Sequence, residues 1–283
     1  MKKFSYSFLA STSFFYWRIL WGIGLLGLSA CEKVIDIDLK DSESKIVIEG
    51  NVSDQEDTHY VYISKTVPFS ASGTYNPVQQ AVVDITESVS DSMIIVGGIG
   101  LKTERTFAEV SPGVYQVTHF KAYPGRTYTL HVKVGDEEYT ASSTMPMPVM
   151  IDSIGTVTDD FFGDDGKTVG VVYQDPPGVK NYYRYLVTLN GKPTNLVFAY
   201  NDKYNDGKQV QRNLYHEDLD LKKDDAVMVE QLGVDEAVYR YFNGIQSNNP
   251  GAAAPANPVS NFSNGALGYF SAHTVSQAAT IIQ

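Results

Sequence analysis

Short runs rich in Val, Ile, Thr and Tyr, separated by tight turns, constrain the fold of this chain more than any other feature. Apolar and polar residues often alternate in these runs, which is the period of a strand with one buried face. Turn signals such as Ser111-Pro112-Gly113 and Tyr123-Pro124-Gly125 separate them. The first predicted strands are Lys45–Val52, His59–Val67, Ala81–Ser88, Arg105–Val110, Val114–Phe120, Thr127–Val134 and Glu138–Thr144. This density of short strands predicts an independent immunoglobulin-like or fibronectin-like β-sandwich domain over residues 45–145.

A second antiparallel β-rich domain is predicted over residues 149–283. The alternate prolines of Met145–Pro148 precede it, and because they stiffen the chain and cannot donate to a ladder, they are typical of an interdomain joint. Its predicted strands are Val149–Thr156, Thr168–Gln174, Tyr182–Asn190, Asn195–Tyr200, Gln209–Tyr215, Ala226–Leu232, Ala266–Ala272 and Val275–Ile282. Apolar residues recur at helical spacing in Asp235–Gln246, which predicts one short helix near 235–246. Ser247–Asn264 has no period and is interpreted as a long loop.

The N-terminal residues have the composition of a secretory signal peptide, which we assign to residues 1–30. This segment contains three basic residues and no acidic one, and its apolar run Ile19–Leu28 is shorter than the roughly 20 residues that span a bilayer. Leu28-Ser29-Ala30-Cys31 resembles the bacterial lipobox. The resemblance implies that Cys31 carries the lipid and becomes the first residue of the mature protein, with residues 31–44 as a polar tether or spacer.

The charge of the mature chain limits its partners. Without residues 1–30, 19 basic and 33 acidic residues remain, which gives a formal net charge of −14. Such a chain repels nucleic acid and anionic lipid headgroups, so we expect no nucleic-acid partner. We expect the membrane contact to be made through the lipid on Cys31.

Motifs of catalysis are missing from the sequence, and we expect no enzymatic activity. There is no Gly-x-Ser-x-Gly and no His-Glu-x-x-His. Ser42–Lys45 matches Ser-x-x-Lys, but it falls in the spacer and not at the start of a helix, which is the context that the motif requires. The five histidines are scattered. We therefore name no catalytic residue and no organic cofactor.

Acidic clusters are the main metal-site candidates, because calcium prefers loops rich in oxygen ligands. A metal between His119 and His131 is the less favoured alternative, because two ligands fall short of the usual set and ordinary strand histidines explain both. The first cluster comprises Asp159, Asp160, Asp164 and Asp165. A second comprises Asp202, Asn205, Asp206 and Gly207, and a third Asp218, Asp220, Asp224 and Asp225. None has the spacing of an EF-hand loop, and solvated loop tips explain the clusters equally well.

Aromatic and amide side chains in the second domain are the candidates for recognition. Tyr183 and Tyr185 share one face of a predicted strand and Tyr182 takes the other, so one set is core and the other partly exposed. We expect Tyr239 to lie off the apolar face of the helix and to supply a stacking surface beside the long loop. The candidate binding residues are Tyr239, Asn248, Asn249 and Asn257. The alternative is that the loop merely returns the chain to the sheet.

Five stretches taken together resemble one family of Bacteroidota cell-envelope lipoproteins. They are Cys31–Lys40 (CEKVIDIDLK), Lys45–Val52 (KIVIEGNV), Pro124–Leu130 (PGRTYTL), Tyr239–Phe242 (YRYF) and Asn264–His273 (NGALGYFSAH). The family carries the domain of unknown function numbered four-two-four-nine. The resemblance implies an outer-membrane lipoprotein encoded beside a TonB-dependent transporter, and it implies no catalytic residue.

The leading hypothesis is therefore a binding function and not catalysis. We expect an outer-membrane lipoprotein that serves a TonB-dependent transporter as a binding accessory, through ligand capture or partner docking. The alternative is a structural or adhesion module on the cell surface, because tandem β-sandwiches commonly serve as spacers and platforms for partners.

Overall fold

The seven strands of the first part follow the predicted pattern closely. The computed structural model describes residues 43–68, 75–89, 104–158, 167–247 and 258–283. Within these ranges the strands are β1 Ile46–Ser53, β2 Asp57–Lys65, β3 Val82–Val89, β4 Glu104–Ser111, β5 Val114–Phe120, β6 Arg126–Val134 and β7 Glu137–Thr144. Buried and exposed residues alternate clearly along β2 and β7, as expected of strands with one face against a core.

β4 connects the two layers of this part. Its first half, up to Phe107, pairs with β3, and its second half, from Ala108, pairs with β5. The strand order is β1-β2-β5-β4-β3-β6-β7, and every pair in it is antiparallel. Ile48, Ile63 and Leu130 are fully buried in one shared core. The mainly β, sandwich-like fold class predicted from sequence is confirmed.

The second part adds a small sheet, further strands and the helix. Its elements are β8 Ile151–Thr158, β9 Lys167–Gln174, β10 Tyr182–Leu189, β11 Lys192–Pro193, β12 Phe198–Asn201, β13 Gln209–Leu214, β14 Ala226–Val234, α1 Glu236–Ser247 and β15 Leu267–Ile281. β13, β9 and β8 form a three-stranded sheet. Tyr173 of β9 packs in one core with Tyr183 and Tyr185 of β10. The expected division of the β10 tyrosines is therefore correct, since Tyr182 on the other face is only half-buried.

β15 corrects one sequence prediction. Ala266–Ala272 and Val275–Ile282 were expected to be two strands, but Leu267–Ile281 is continuous. It pairs with β1 on one side, in parallel, and with β14 on the other, antiparallel. Both faces of its first half are buried, so the period-two signal disappears there.

The same strand crosses the expected domain boundary. Phe270 and Ala272 of β15, together with Phe262 before it, belong to the core of the first part. Residues 43–283 form one compact unit. No measurement tests the independence that the sequence predicts for residues 45–145, but the shared strand gives a specific reason to expect that they do not fold alone.

α1 begins where the sequence predicts a helix. Asp235 is its N-cap, because the Oδ1 atom accepts a hydrogen bond from the Val238 amide at 2.9 Å. Val238 and Phe242 form its buried face. Within the described part of the chain, no helix has the length and hydropathy that a membrane span requires.

Candidate functional site

Most of the site residues predicted from sequence lie outside the described residues. These are the lipidation candidate Cys31, the calcium candidates Asp159, Asp160, Asp164 and Asp165, and the amides Asn248, Asn249 and Asn257. Their roles stay predictions. Tyr239 is described, and it lies beside residues that the sequence did not connect with it.

Tyr239 forms an aromatic pair with Tyr182. The two ring centroids are 5.1 Å apart and the planes are tilted by 30°. The Tyr239 hydroxyl accepts a hydrogen bond from the Asn201 amide group at 2.8 Å and contacts Asn243 Oδ1 at 3.4 Å. Because α1 buries Val238 and Phe242, Tyr239 lies at the edge of its apolar face, half-buried against the outer face of β10. The predicted stacking position is thus already paired with a ring of the sheet.

The tyrosine pair lines a cavity of about 580 Å³ between α1, β10 and two loops. The loops follow β9 and β12, and the wall combines apolar rings with charged groups of both signs. Its lining comprises Gly178, Val179, Lys180, Tyr182, Asn201, Asp202, Lys203, Asp206, Glu236 and Tyr239. Burial raises the pKa of Tyr182, and the Glu236 carboxylate acts in the same direction. Tyr182 therefore stays a neutral hydroxyl, able to donate and accept, at physiological pH.

A cluster of three carboxylates adjoins this cavity. One oxygen from each of Asp175, Asp202 and Asp206 lies within 4.8 Å of the others. Asp175 is fully buried and Asp202 is 7% exposed, whereas Asp206 is exposed. Among the described residues, this is the only group of three or more acidic, histidine or cysteine side chains with the spacing of a metal site.

Hydrogen bonds position each carboxylate of the cluster. Asp175 Oδ1 accepts from the Tyr183 hydroxyl at 2.7 Å. Asp202 Oδ2 accepts from the backbone N–H of Asn181 at 2.6 Å, and Asp206 Oδ1 accepts from the backbone N–H of Gly178 at 2.7 Å. The loop after β9 and the loop after β12 are thus connected through the three carboxylates. Carboxylate oxygens are also the atoms that a hard cation binds.

A second cavity lies near the C-terminal end of α1. It has a volume of about 630 Å³, and its lining includes Phe198, His216 and Ile245. The side chain of Gln246 closes α1 onto the sheet, since its Oε1 atom accepts from the Ala199 amide at 2.7 Å. Phe198 and His216 in its lining meet edge to face, with ring centroids 6.3 Å apart, whereas Tyr182 and Tyr239 are tilted by only 30°.

The end of the predicted long loop is fixed to the sheet. The Asn261 side chain makes two hydrogen bonds to the backbone of Phe270, with Nδ2 donating to the carbonyl at 2.8 Å and Oδ1 accepting from the amide at 2.9 Å. Phe262 forms a bridge with Ala141 of β7. Residues 258–264 are therefore held against the first part of the fold, where Phe262 joins the core.

Sequence reasoning missed Asp175 and Asn181 as site residues. It did place Asp202 and Asp206 in a calcium-candidate cluster, but Asp175 comes 27 positions before Asp202 and belongs to another loop. Pro176-Pro177-Gly178 is a turn signal immediately after Asp175, and it indicates that Asp175 is at the end of a strand where a loop begins.

A search of the curated proteins found no match to this chain. A family model matches residues 32–279, which is nearly all of the sequence and spans every element of the site. The chain belongs to the family described as Domain of unknown function (DUF4249).

Proposed function

We propose that this protein is a lipid-anchored binding accessory of a TonB-dependent outer-membrane transporter, and that the tyrosine-lined cavity is its binding site. One observation carries the proposal: Tyr182 and Tyr239 form a paired aromatic wall in a cavity of about 580 Å³. This volume is in the usual range for sites that bind small molecules or single side chains.

The chemistry of the cavity favours recognition. Tyrosine supplies a flat apolar surface and a polar end, and charged groups around it fix the orientation of a bound group. Lys180 and Lys203 offer donors, while Glu236 offers an acceptor. The cavity therefore fits a ligand, or a projecting segment of a partner, that has one flat apolar face and polar groups at its edges.

Gentle detergent extraction of native membranes tests the transporter partnership. Affinity purification of the full chain should bring down a TonB-dependent transporter, identified by mass spectrometry. The double variant Tyr182→Ser/Tyr239→Ser should recover at least tenfold less of it, because the aromatic wall is lost. Failure of the wild type to bring down such a transporter would refute the proposal, as would equal recovery with the double variant.

The tether is tested separately by fractionation. Cys31→Ala should release the protein from the membrane fraction, since Cys31 is the only cysteine and the expected lipid attachment point. The variant should keep the melting temperature of the wild type. Continued partition of this variant into detergent would contradict a lipid anchor at Cys31.

A structural or adhesion role has its own supporting observation. Tyr60 and Tyr62 of β2 are 38% and 43% exposed, and their rings stack with centroids 6.2 Å apart. Exposed paired aromatics are typical recognition material. The variant Tyr60→Ser/Tyr62→Ser is the matched control in the purification above and should recover as much transporter as the wild type. An adhesion role predicts instead that the full chain binds a surface or matrix, and that this variant loses that binding whereas Tyr182→Ser/Tyr239→Ser keeps it.

A further inference from the structure

The three carboxylates beside the cavity make no ion pair with any residue that the structure describes. Asp175 and Asp202 are buried. Buried carboxylates this close together are stable when a cation or a proton compensates them.

Asn181 supplies an independent observation. The residue is 5% exposed, and its Oδ1 atom has no hydrogen-bond partner within the described part of the chain. A buried amide oxygen without a partner is rare, because it loses the free energy of a hydrogen bond to water. An unpartnered Oδ1 atom at this position is available as a ligand for a bound ion.

Strand register directs the Asn181 side chain toward the carboxylates. Tyr182 pairs with Asn201, so Asn181 lies beside Asp202. The backbone carbonyl of Asn181 accepts a hydrogen bond from the backbone N–H of Asp202 at 3.2 Å. Asn181 comes immediately before β10, and this hydrogen bond continues the ladder by one residue, so alternation places Asn181 on the same face as Tyr183, whose hydroxyl donates to Asp175. Asn181 therefore shares the face of the sheet on which the Tyr183 hydroxyl reaches Asp175, and its backbone is hydrogen-bonded to Asp202.

We propose that Asp175, Asp202, Asp206 and the Asn181 amide oxygen bind one calcium ion. Calcium takes six to eight oxygen ligands at about 2.4 Å, so two of its ligands are at most about 4.8 Å apart. The carboxylate oxygens meet that limit without rearrangement. Zinc prefers nitrogen and sulfur ligands, and none of the four side chains provides either as a ligand.

The ion would connect the loop after β9 to the loop after β12. Asp175 and Asn181 flank the first loop, and Asp202 and Asp206 are in the second. Asp202 and Asp206 also line the tyrosine cavity, so calcium fixes one of its walls. This site does not depend on the transporter proposal, because it follows from the four side chains alone.

Calcium titration of the purified full chain in detergent tests the site. After treatment with EDTA, calcium chloride should raise the melting temperature, and terbium should give luminescence sensitised by Tyr183, whose hydroxyl is 2.7 Å from Asp175 Oδ1. Calcium should displace the terbium and quench the emission. Absence of both the thermal shift and the sensitised emission would overturn the proposal.

Asp206→Asn is the decisive variant, because the exposed Asp206 can be replaced without disturbing the core. It should weaken calcium binding at least tenfold, and Asn181→Ala should weaken it in the same direction. The matched control is Asp136→Asn, an exposed carboxylate in the turn between β6 and β7 and outside the three acidic clusters, and it should bind as the wild type does. Unchanged affinity in Asp206→Asn, or an equal loss in the control, would show adventitious binding only and overturn the site.

Discussion

Acidification from pH 7 to pH 5 should destabilise the folded chain through His273, which is buried in β15. Burial, together with the charge of Arg184 and the nearby ring of His59, lowers the pKa of His273 to about 3. The same imidazole in the unfolded chain has its ordinary pKa of about 6.5. The folded state therefore excludes a proton that the unfolded state accepts throughout this interval.

The sign and the magnitude follow from proton linkage. Because the unfolded state binds more protons between about pH 6.5 and 3, the free energy of unfolding falls as the pH falls, by about 1.4 kcal/mol per pH unit inside the window. Between pH 7 and pH 5 the loss from His273 is about 2 kcal/mol, since the unfolded imidazole takes up little charge above pH 6.5. Burial also lowers the pKa of His59, so that residue adds to the loss.

Urea unfolding of the wild type and of His273→Gln at both pH values measures this contribution. The neutral glutamine removes the titration, so the variant should lose about 2 kcal/mol less than the wild type on acidification. His131→Gln, at an exposed position on β6, is the matched control. The reasoning is refuted if wild type and His273→Gln lose the same stability between the two pH values.

Three further predictions concern the architecture, and thermal or urea unfolding checks each one. Gly268→Ala should lower the free energy of unfolding by at least about 3 kcal/mol, because its φ is +92° and an added Cβ would be 2.0 Å from the Ile48 carbonyl oxygen. The control Gly265→Ala, at φ +70° with open space around it, should lower it by about 1 kcal/mol. Asp235→Ala should cost about 2 kcal/mol, since it removes both the cap of α1 and hydrogen bonds to β7; a neutral result would mean that the cap is unimportant. Residues 45–145 expressed alone should lack a cooperative melt by circular dichroism, because β15 completes their core, and a cooperative β-type melt would instead establish two autonomous domains.

Local rules were sufficient for most strands of the first part. β5 occupies Val114–Phe120 as predicted, since alternation and the flanking turns define both of its ends. Gly113 and Gly125 have φ angles of +73° and +77°, the conformation that the turn signals required. In these strands, side-chain alternation shows which face is buried and the flanking turn residues show where the strand ends, so both can be predicted from the local sequence.

Long-range pairing is what the sequence did not reveal. The first half of β15 is buried on both faces, so the pattern there no longer alternates and does not mark the limits of the strand. The parallel pairing with β1 joins residues more than two hundred positions apart, for example Val47 with Leu267. No local signal encodes such a partner.

The candidate calcium site illustrates the same limit for function. A contiguous motif supplies its ligands from one loop, and the second acidic cluster was recognised for that reason. Asp175 and Asn181 flank a different loop, and only the pairing of β10 with β12 brings them beside Asp202. A site assembled across two connections therefore has no spacing rule, although each of its residues is visible in the sequence.

One chain of hydrogen bonds connects the core of the first part to the tyrosine cavity. The Ser143 hydroxyl of β7 accepts from the Ala272 amide of β15 at 2.9 Å and donates to Asp235 Oδ2 at 2.6 Å. The other oxygen of Asp235 caps α1, the helix that carries Tyr239. Because Ser143 is 1% exposed, a loss of either bond would leave a buried polar group unsatisfied. The position of Tyr239 against Tyr182 therefore depends on β7 and β15 as well as on the helix, and the binding cavity is stabilised by both parts of the fold.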